Sequence, residues 1–290
     1  MSIRDNLDIS AYLVLGPENT LGRPVGDVVA QALDAGFTCI QVRSKVASAR
    51  EIIALTGDAA QAIAQAGKTD QVALLIDDRL DCVLAAREQG IAVDGVHVGQ
   101  SDIPVEVCRK LLGPDAIVGL SARCEEMLEY VKTADMSLVD YLGIGPLHET
   151  ETKRDCGRAA DGSIITKSFE DLAALHAASP VPIVVGGGVK TADLPQLKAT
   201  GVDGFFVVSA VCSADDPLRR RQGARRYLAA GIGSSRAADS QPHIFSDGKR
   251  IPVWTSIPGC ASRRDGGSSL YPARYVSSAG KVASASRRPI

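Results

Sequence analysis

The chain has 290 residues, of which 45% are hydrophobic and 23% charged, and its formal net charge is −2. These values exclude a chain that is fibrous or disordered throughout. The charge is uneven, because residues 231–290 hold nine Lys or Arg against three Asp, a net +6, which leaves −8 on residues 1–230. An acidic main part argues against nucleic-acid binding.

Cysteine usage and the lengths of apolar runs indicate the compartment. The seven cysteines form no C-x-x-C pair, which argues against a zinc site or a disulfide framework and is typical of a reducing cytosol. The N-terminal residues MSIRDNLDIS contain no apolar signal core, and no apolar run approaches the length of a membrane span. We therefore expect a cytoplasmic protein that does not interact with membranes.

Eight short apolar runs alternate with helical patterns from residue 11 to about residue 230. Their continuous Val, Ile and Leu content is typical of parallel strands buried on both faces. Glycine directly follows several helical patterns and predicts helix ends there. The predicted strands are 11–15, 38–42, 73–76, 95–98, 117–120, 141–144, 182–185 and 204–208, and the predicted helices include 25–35, 49–66, 80–89 and 191–199.

This alternation predicts an α/β protein of the (β/α)8 TIM-barrel type, because eight strands and about eight helices fit in roughly 220 residues. An open doubly wound sheet is the alternative, but it usually carries a glycine-rich turn after its first strand. Here LGPENT follows the first strand, and the glycine run GGGV comes late, at 186–189. Late phosphate sites of this kind are typical of barrels.

The pattern stops after a barrel domain that we assign to residues 1–230. Residues 231–290 hold twelve serines and no sustained periodicity, a composition that cannot bury enough apolar area to offset the entropy of ordering. We predict a low-complexity, disordered tail. It could be a linker remnant, a basic arm for a polyanionic partner or the product of a shifted reading frame.

Two neighbouring strands each deliver carboxylates to the same rim of the predicted barrel. Asp77 and Asp78 follow the third strand, and Asp102 follows the fourth, and the C-terminal ends of barrel strands converge on one mouth. Magnesium prefers one or two carboxylates together with phosphate oxygens. Capping of the next helix is the alternative for the Asp pair, but the coincidence of two strands favours a metal site.

A polar row follows the second strand. Gln41, Arg43 and Lys45 are spaced i, i+2, i+4, which places them on one side of an extended chain. Arg offers a planar fork and Lys a mobile point charge for phosphate oxygens, and Gln41 could bind an amide-like ring edge. A solvated strand edge is the alternative. Ser121 is a weak signal by itself, and we expect His97 to pack inside the barrel or at its rim.

Polar residues also follow the last three strands. Thr150, Thr152 and Lys153 lie in a long polar loop after the sixth strand, and long functional loops are typical of the catalytic rim. The GGGV turn and Ser209, after the seventh and eighth strands, are typical of a phosphate cradle, because glycine lets backbone N–H groups approach an anion. An ordinary flexible loop and simple turns are the alternatives.

Taken together, these strings resemble one family. QVRSK, IDDR, DGVHVGQSDIP, VGLSA, DYLGIGPLHETETK, VVGGGV and GFFVVSAV occur in the order typical of thiamine phosphate synthases, over about residues 11–217. The resemblance implies a TIM-barrel transferase of thiamine biosynthesis that uses Mg2+. It would join 4-amino-2-methyl-5-hydroxymethylpyrimidine diphosphate to a thiazole phosphate, carboxylated or not, and release pyrophosphate.

The resemblance also implies a role for each site residue. The pyrimidine diphosphate would be held by Gln41, Arg43, Lys45, Ser121 and Lys153. Magnesium would be bound by Asp78 and Asp102. The thiazole phosphate would be held by Thr150, Thr152, Gly188, Val208 and Ser209. The implied mechanism is dissociative, so no nucleophile or general base is expected, and Arg43 and Lys153 would stabilise the leaving group.

Two positions depart from the family pattern. Asp77, at a substrate-binding position, replaces the usual Asn, and we expect its charge to repel the diphosphate unless it is protonated or drawn to the metal. Glu151 stands between the two threonines, where a small residue is usual.

The sequence leaves two other functions open. A related barrel without synthase activity acts as a regulator in thiazole metabolism, but it tends to lose the carboxylates and cations that this chain keeps. A non-catalytic binding protein would use the basic tail as its arm. Some relatives are fused to a pyrimidine kinase, so a fusion or partnership with such a kinase would explain the tail.

Overall fold

Eight parallel strands close into a barrel in the computed structural model of the protein, which describes residues 2–122, 124–149 and 164–212. The strands follow one another around the barrel in chain order, and β8 pairs with β1. They are β1 Ala11–Leu15, β2 Cys39–Val42, β3 Ala73–Asp77, β4 Gly95–Val98, β5 Ile117–Ala122, β6 Tyr141–Ile144, β7 Ile183–Val185 and β8 Gly204–Val207. The predicted TIM barrel is confirmed.

Helices connect the strands and cover the barrel. They are α1 Val25–Ala35, α2 Ala49–Gln65, α3 Leu80–Glu88, α4 Val105–Leu112, α5 Cys124–Thr133, α6 Phe169–Ala178, α7 Leu194–Ala199 and α8 Ser209–Cys212. All described residues belong to the first of two units of the chain, Met1–Gln241, and the second, Pro242–Ile290, lies outside the described ranges. The predicted tail at 231–290 is therefore also outside them.

Local signals in the sequence explain where the helices begin and end. Ser48 caps α2, accepting a hydrogen bond from the backbone of Glu51, whose side chain accepts one from the Ser48 backbone in return. Gly36 ends α1 in the left-handed conformation at φ 98°. The predicted helix 191–199 is divided into a 3-10 turn, Thr191–Asp193, and α7. Pro195 explains the division, because it has no backbone N–H to donate and is tolerated only at a helix start.

The apolar side chains form two layers. The larger cluster fills the space between strands and helices, and a smaller one fills the barrel interior with residues such as Tyr12, Leu75 and Tyr141. Side chains alternate along each strand, so Gln41 of β2, which lies beside Val14 and Leu75, faces inward with them. The barrel interior is thus partly polar and leads up to the rim.

None of the helices in the described ranges combines the length and apolar character needed to span a bilayer. Cys39, Cys82, Cys108 and Cys212 are free and buried. In the described ranges, the cysteines pack as small buried side chains.

Candidate active site

The polar residues that follow β2, β3 and β4 meet in one ion-pair cluster at the C-terminal rim. The Nε atom of Arg43 lies 3.0 Å from Oδ2 of Asp77, and Nζ of Lys45 lies 3.6 Å from the same oxygen. Lys45 also donates a hydrogen bond to Asp78. The structure therefore brings together the cationic row and the acidic pair, as the convergence of strand ends predicts.

Asp78 and Asp102 form a carboxyl pair across two strand ends. Asp102 Oδ2 accepts a hydrogen bond from the Gly99 backbone at 2.7 Å. Burial raises the pKa of Asp102, and the hydrogen bond and negative charge of Asp78 add to this rise. Burial also acts to raise the pKa of Asp78, but hydrogen bonds from Lys45 and Asp102 outweigh it and hold that pKa below its usual value.

This pair has the chemistry of a magnesium site completed by a substrate. Two carboxylates held together repel each other unless a proton or a cation lies between them. Within the described ranges, no group of three or more His, Cys, Asp or Glu side chains is arranged to hold a metal. Two protein carboxylates with phosphate and water oxygens are the set that Mg2+ prefers, so Asp78 and Asp102 fit the ion.

The backbone at Asp78 is held in an uncommon conformation. Its φ is 57°, in the left-handed region, where few residues other than glycine are found. Its N–H donates to the carbonyl of His97 at 2.7 Å. The N-cap residue of α3 is Arg79, which makes no side-chain cap bond, so the capping interpretation of the Asp pair does not hold. Strained backbone of this kind concentrates at functional sites.

Glu18 is a residue of this rim that the sequence reasoning missed. It lies after β1 and accepts hydrogen bonds from Ser44 Oγ at 2.7 Å and from the Lys45 backbone at 2.9 Å. These bonds, with the side-chain bond from Ser44 outweighing burial, lower its pKa. Glu18 therefore fixes the loop that carries Lys45. The only signal was a carboxylate shortly after the first strand, in LGPENT.

Ser121 and Gln41 are connected through the barrel interior. Ser121 Oγ lies 3.0 Å from His97 Nε2, and the other ring nitrogen, Nδ1, lies 2.8 Å from the Tyr141 hydroxyl. The Tyr141 and Tyr12 hydroxyls are 2.8 Å apart, and Gln41 Nε2 donates to Tyr12 at 2.8 Å. His97 faces the interior as expected, but it is hydrogen-bonded rather than simply packed.

The predicted phosphate side lies after β6, β7 and β8. Gly187 and Gly188 have φ values of 79° and 73°, which only glycine adopts readily. The backbone N–H groups of Leu147 and His148 each donate to the Gly187 carbonyl at 3.0 Å. The glycine turn is thereby joined to the loop after β6. Val208 is half-buried and Ser209 is exposed at the start of α8, so both lie at the same rim.

Part of the predicted site lies outside the described residues. Thr150, Glu151, Thr152 and Lys153 fall in 150–163, which the structure does not describe. Their assigned roles stay predictions.

Several known proteins resemble this chain in sequence and in fold. Residues 11–211 match the family model for thiamine monophosphate synthase. The chain is 38% identical over 234 residues to the thiamine-phosphate synthase of Corynebacterium efficiens, covering 81% of this chain and 100% of that protein. It is 38% identical over 209 residues to the enzyme of that name from Vibrio campbellii, covering 71% and 91%.

The chain belongs to the thiamine monophosphate synthase family. A solved thiamine phosphate pyrophosphorylase from Pyrococcus furiosus matches with a TM-score of 0.60 at 29% identity, over 79% of this chain and 96% of that one. Tryptophan synthase of Mycobacterium tuberculosis also matches, with a TM-score of 0.54 at 15% identity, which shows the shared barrel fold alone. Membership in the thiamine phosphate synthase family confirms the resemblance, the transferase class and the assignment to thiamine biosynthesis.

Proposed function

We propose that the chain condenses 4-amino-2-methyl-5-hydroxymethylpyrimidine diphosphate with a thiazole phosphate to give thiamine phosphate and pyrophosphate. The observation that carries this proposal is the ion-pair cluster at the rim of a barrel that belongs to this family. It combines two cations suited to a diphosphate with a carboxyl pair suited to a divalent ion.

The charges at the rim support a metal-bound diphosphate. Among the described residues of the cluster, Asp77, Asp78 and Asp102 outnumber the cations Arg43 and Lys45. Asp77 and Asp78 already neutralise Arg43 and Lys45, so a diphosphate entering this cluster needs a further positive charge. A magnesium ion held by Asp78 and Asp102 would supply that charge to the diphosphate oxygens.

The roles of the remaining residues follow the family pattern. Gln41 and Ser121 bind the pyrimidine ring, and Arg43 and Lys45 bind its diphosphate. The C–O bond to the diphosphate breaks first, and the bonding electrons leave with the pyrophosphate. The resulting pyrimidine-stabilised carbocation is attacked by the thiazole nitrogen, which forms the new C–N bond. Arg43 stabilises the charge that develops on the leaving group, and no proton has to be removed by the protein.

The thiazole phosphate is assigned to the opposite part of the rim. Gly188, Val208 and Ser209 would hold it through backbone groups, together with Thr150 and Thr152. Lys153 would join Arg43 at the leaving group. The glycine turn and the start of α8 lie at this part of the rim.

We also propose that the barrel domain, residues 1–230, carries the whole activity in the cytoplasm, with the tail dispensable. Buried free cysteines support a reducing compartment.

A direct assay tests the reaction. The purified full chain is incubated with both phosphorylated substrates, with Mg2+ or with a chelator, and thiamine phosphate is measured. Asp102→Asn should lose most activity. Asp81→Asn is the matched control, because Asp81 pairs with Arg79 on an exposed surface, and it should stay near wild type. If the wild-type chain forms no thiamine phosphate at any magnesium concentration, the proposal is wrong and a binding or regulatory role is favoured.

A further inference from the structure

A line of hydrogen bonds crosses the barrel interior and joins the two residues assigned to the pyrimidine ring. We define Tyr12, Tyr141 and His97 as the interior relay; it joins Gln41 of β2 to Ser121 of β5. Tyr12 and Tyr141 are buried, at 2% and 0% exposure, and Gln41 at 3%. Packing alone does not require such a polar row, because apolar side chains would fill the barrel interior with a smaller desolvation penalty.

The orientation of the Gln41 amide assigns one direction to the donors and acceptors of the relay. Gln41 donates its Nε2–H to the Tyr12 oxygen, so the Tyr12 proton is available to Tyr141. Tyr141 then donates to His97 Nδ1. A neutral imidazole that accepts at Nδ1 carries its proton on Nε2, and Nε2 donates to Ser121 Oγ. Ser121 keeps its own proton to donate at the mouth.

Both tyrosine hydroxyls keep their protons. Burial is the main cause that raises the pKa of Tyr12 and of Tyr141 well above the ordinary value. The Cys39 thiol also contacts Tyr12, but sulfur is a weak acceptor and does not compete with the Tyr141 oxygen. To reverse the direction, each proton would have to move to the other partner of its hydrogen bond. The Gln41 amide would also have to rotate so that Oε1, not Nε2, faces Tyr12.

The strands are shaped around the relay. A Cβ atom on Gly119 would lie 2.3 Å from the Tyr141 ring and 2.5 Å from His97 Nδ1, and one on Gly143 would lie 2.9 Å from His97 Cε1. The two rings stack with centroids 5.4 Å apart, and Tyr12 packs edge-on to Tyr141 at 5.9 Å. The rings of the relay therefore have little room to move and are held in place by packing, while its direction follows from the orientation of the Gln41 amide.

We propose that the interior relay sets the hydrogen-bond polarity of the pyrimidine site, with Ser121 as a donor and Gln41 Oε1 as an acceptor. This polarity fits a pyrimidine that offers an amino group to Gln41 and a ring nitrogen to Ser121. An oxo group in place of the amino group would bring an acceptor against Gln41 Oε1. Tyr12, Tyr141 and His97 are thus positioning residues that determine specificity. The inference rests on the proposed function, because it takes the aminopyrimidine from it.

The test compares two probes on the full chain in the presence of Mg2+. These are the 4-amino-pyrimidine diphosphate and its 4-oxo analogue, and the measured quantity is the ratio of their dissociation constants from calorimetry. Wild type should prefer the amino probe at least about 100-fold, as expected of a site built around specific hydrogen bonds. Tyr141→Phe, which keeps the ring but removes the hydroxyl, should lower the ratio about tenfold, because Ser121 is no longer fixed as a donor.

Further variants separate the relay from general damage. Tyr12→Phe should lower the ratio as much as Tyr141→Phe does. The double variant should lower it no further than either single variant, because the loss of one hydrogen bond already removes the fixed direction of the relay. Tyr130→Phe is the matched control on α5 and should leave the ratio unchanged. The ratio is measured on one sample for both probes, so a partly unfolded variant does not bias it.

The outcomes distinguish this inference from the proposed reaction. The relay is supported if wild type discriminates between the probes and Tyr141→Phe reduces the ratio. This holds even if no thiamine phosphate is formed, a result that would refute only the proposed reaction. An unchanged ratio in Tyr141→Phe, additive losses in the double variant, or wild type that binds neither probe or prefers neither overturns the relay. Thiamine phosphate formation with any of those results would leave the reaction standing.

Discussion

Asp77 stands where the family usually has Asn. The variant Asp77→Asn removes its negative charge and so tests how that charge affects Arg43 and Lys45. The Asp77 side chain is only 9% exposed and lies 3.0 Å from Arg43 and 3.6 Å from Lys45. Asp77 therefore pairs with the two cations that we assign to diphosphate binding. Two opposite unit charges about 4 Å apart interact by roughly 4 kcal/mol at the effective dielectric of a protein surface, and desolvation and screening leave only part of that.

We expect Asp77→Asn to raise kcat/KM for the pyrimidine diphosphate about tenfold. A net gain of about 1.4 kcal/mol in transition-state binding corresponds to this factor, and it is about a third of the Coulomb value. Asn can also donate a hydrogen bond to a diphosphate oxygen, whereas an ionised Asp only accepts. The same change should lower the free energy of unfolding by about 1–3 kcal/mol, because Arg43 is left partly buried with a weaker partner.

The assay is steady-state kinetics of wild type and variant across pH and magnesium concentration, with the melting temperature measured beside it. Asp81→Asn, the exposed control, should change neither quantity. A loss of activity in Asp77→Asn that excess magnesium reverses would refute the reasoning, because it would identify Asp77 as a metal ligand.

Three further predictions concern the metal, the tail and a helix cap. Asp78→Ala and Asp102→Ala should each abolish magnesium-dependent turnover without unfolding the barrel, since both side chains lie at the rim and not in the apolar core; near-normal turnover in both, with unchanged magnesium dependence, would rule out the metal assignment. Deleting 231–290 should leave melting temperature and turnover nearly unchanged, and a large drop in melting temperature would show that the tail is structural. Ser48→Ala should lower the free energy of unfolding by about 1 kcal/mol in denaturant melts. Its hydrogen bonds lower the pKa of Glu51, so this loss should be present near neutral pH and shrink as the pH falls through the lowered pKa; a loss independent of pH would contradict the capping box.

The barrel was predictable because strand ends carry their own signals. Short apolar runs and glycine after helices placed the strands to within about two residues of the observed ends, as at β3, which extends one residue further to Asp77. The rim cluster followed from topology alone, since Arg43 and Asp78 had only to be placed after adjacent strands. The sequence did not reveal the ion pairs within this cluster. Asp77 pairs with Arg43 and Lys45 as well as being placed to repel a ligand, and only side-chain distances show this.

The interior relay was out of reach for a different reason. Tyr12 and Tyr141 lie in strands 129 residues apart, and a tyrosine in an apolar run is typical of ordinary packing. Glu18 was missed because a lone carboxylate in a turn has many uses. Long-range hydrogen bonds of this kind depend on barrel closure and register, and neither is encoded in local periodicity.

The two interior glycines have an evolutionary consequence. Because a side chain on Gly119 would occupy the volume of the Tyr141 ring, and one on Gly143 that of His97, these positions cannot diverge independently. Among related sequences, a larger residue at either glycine should occur only together with a smaller one at its partner. Such compensated pairs would mark lineages in which the barrel interior has been refilled and the selectivity of the pyrimidine site has changed with it.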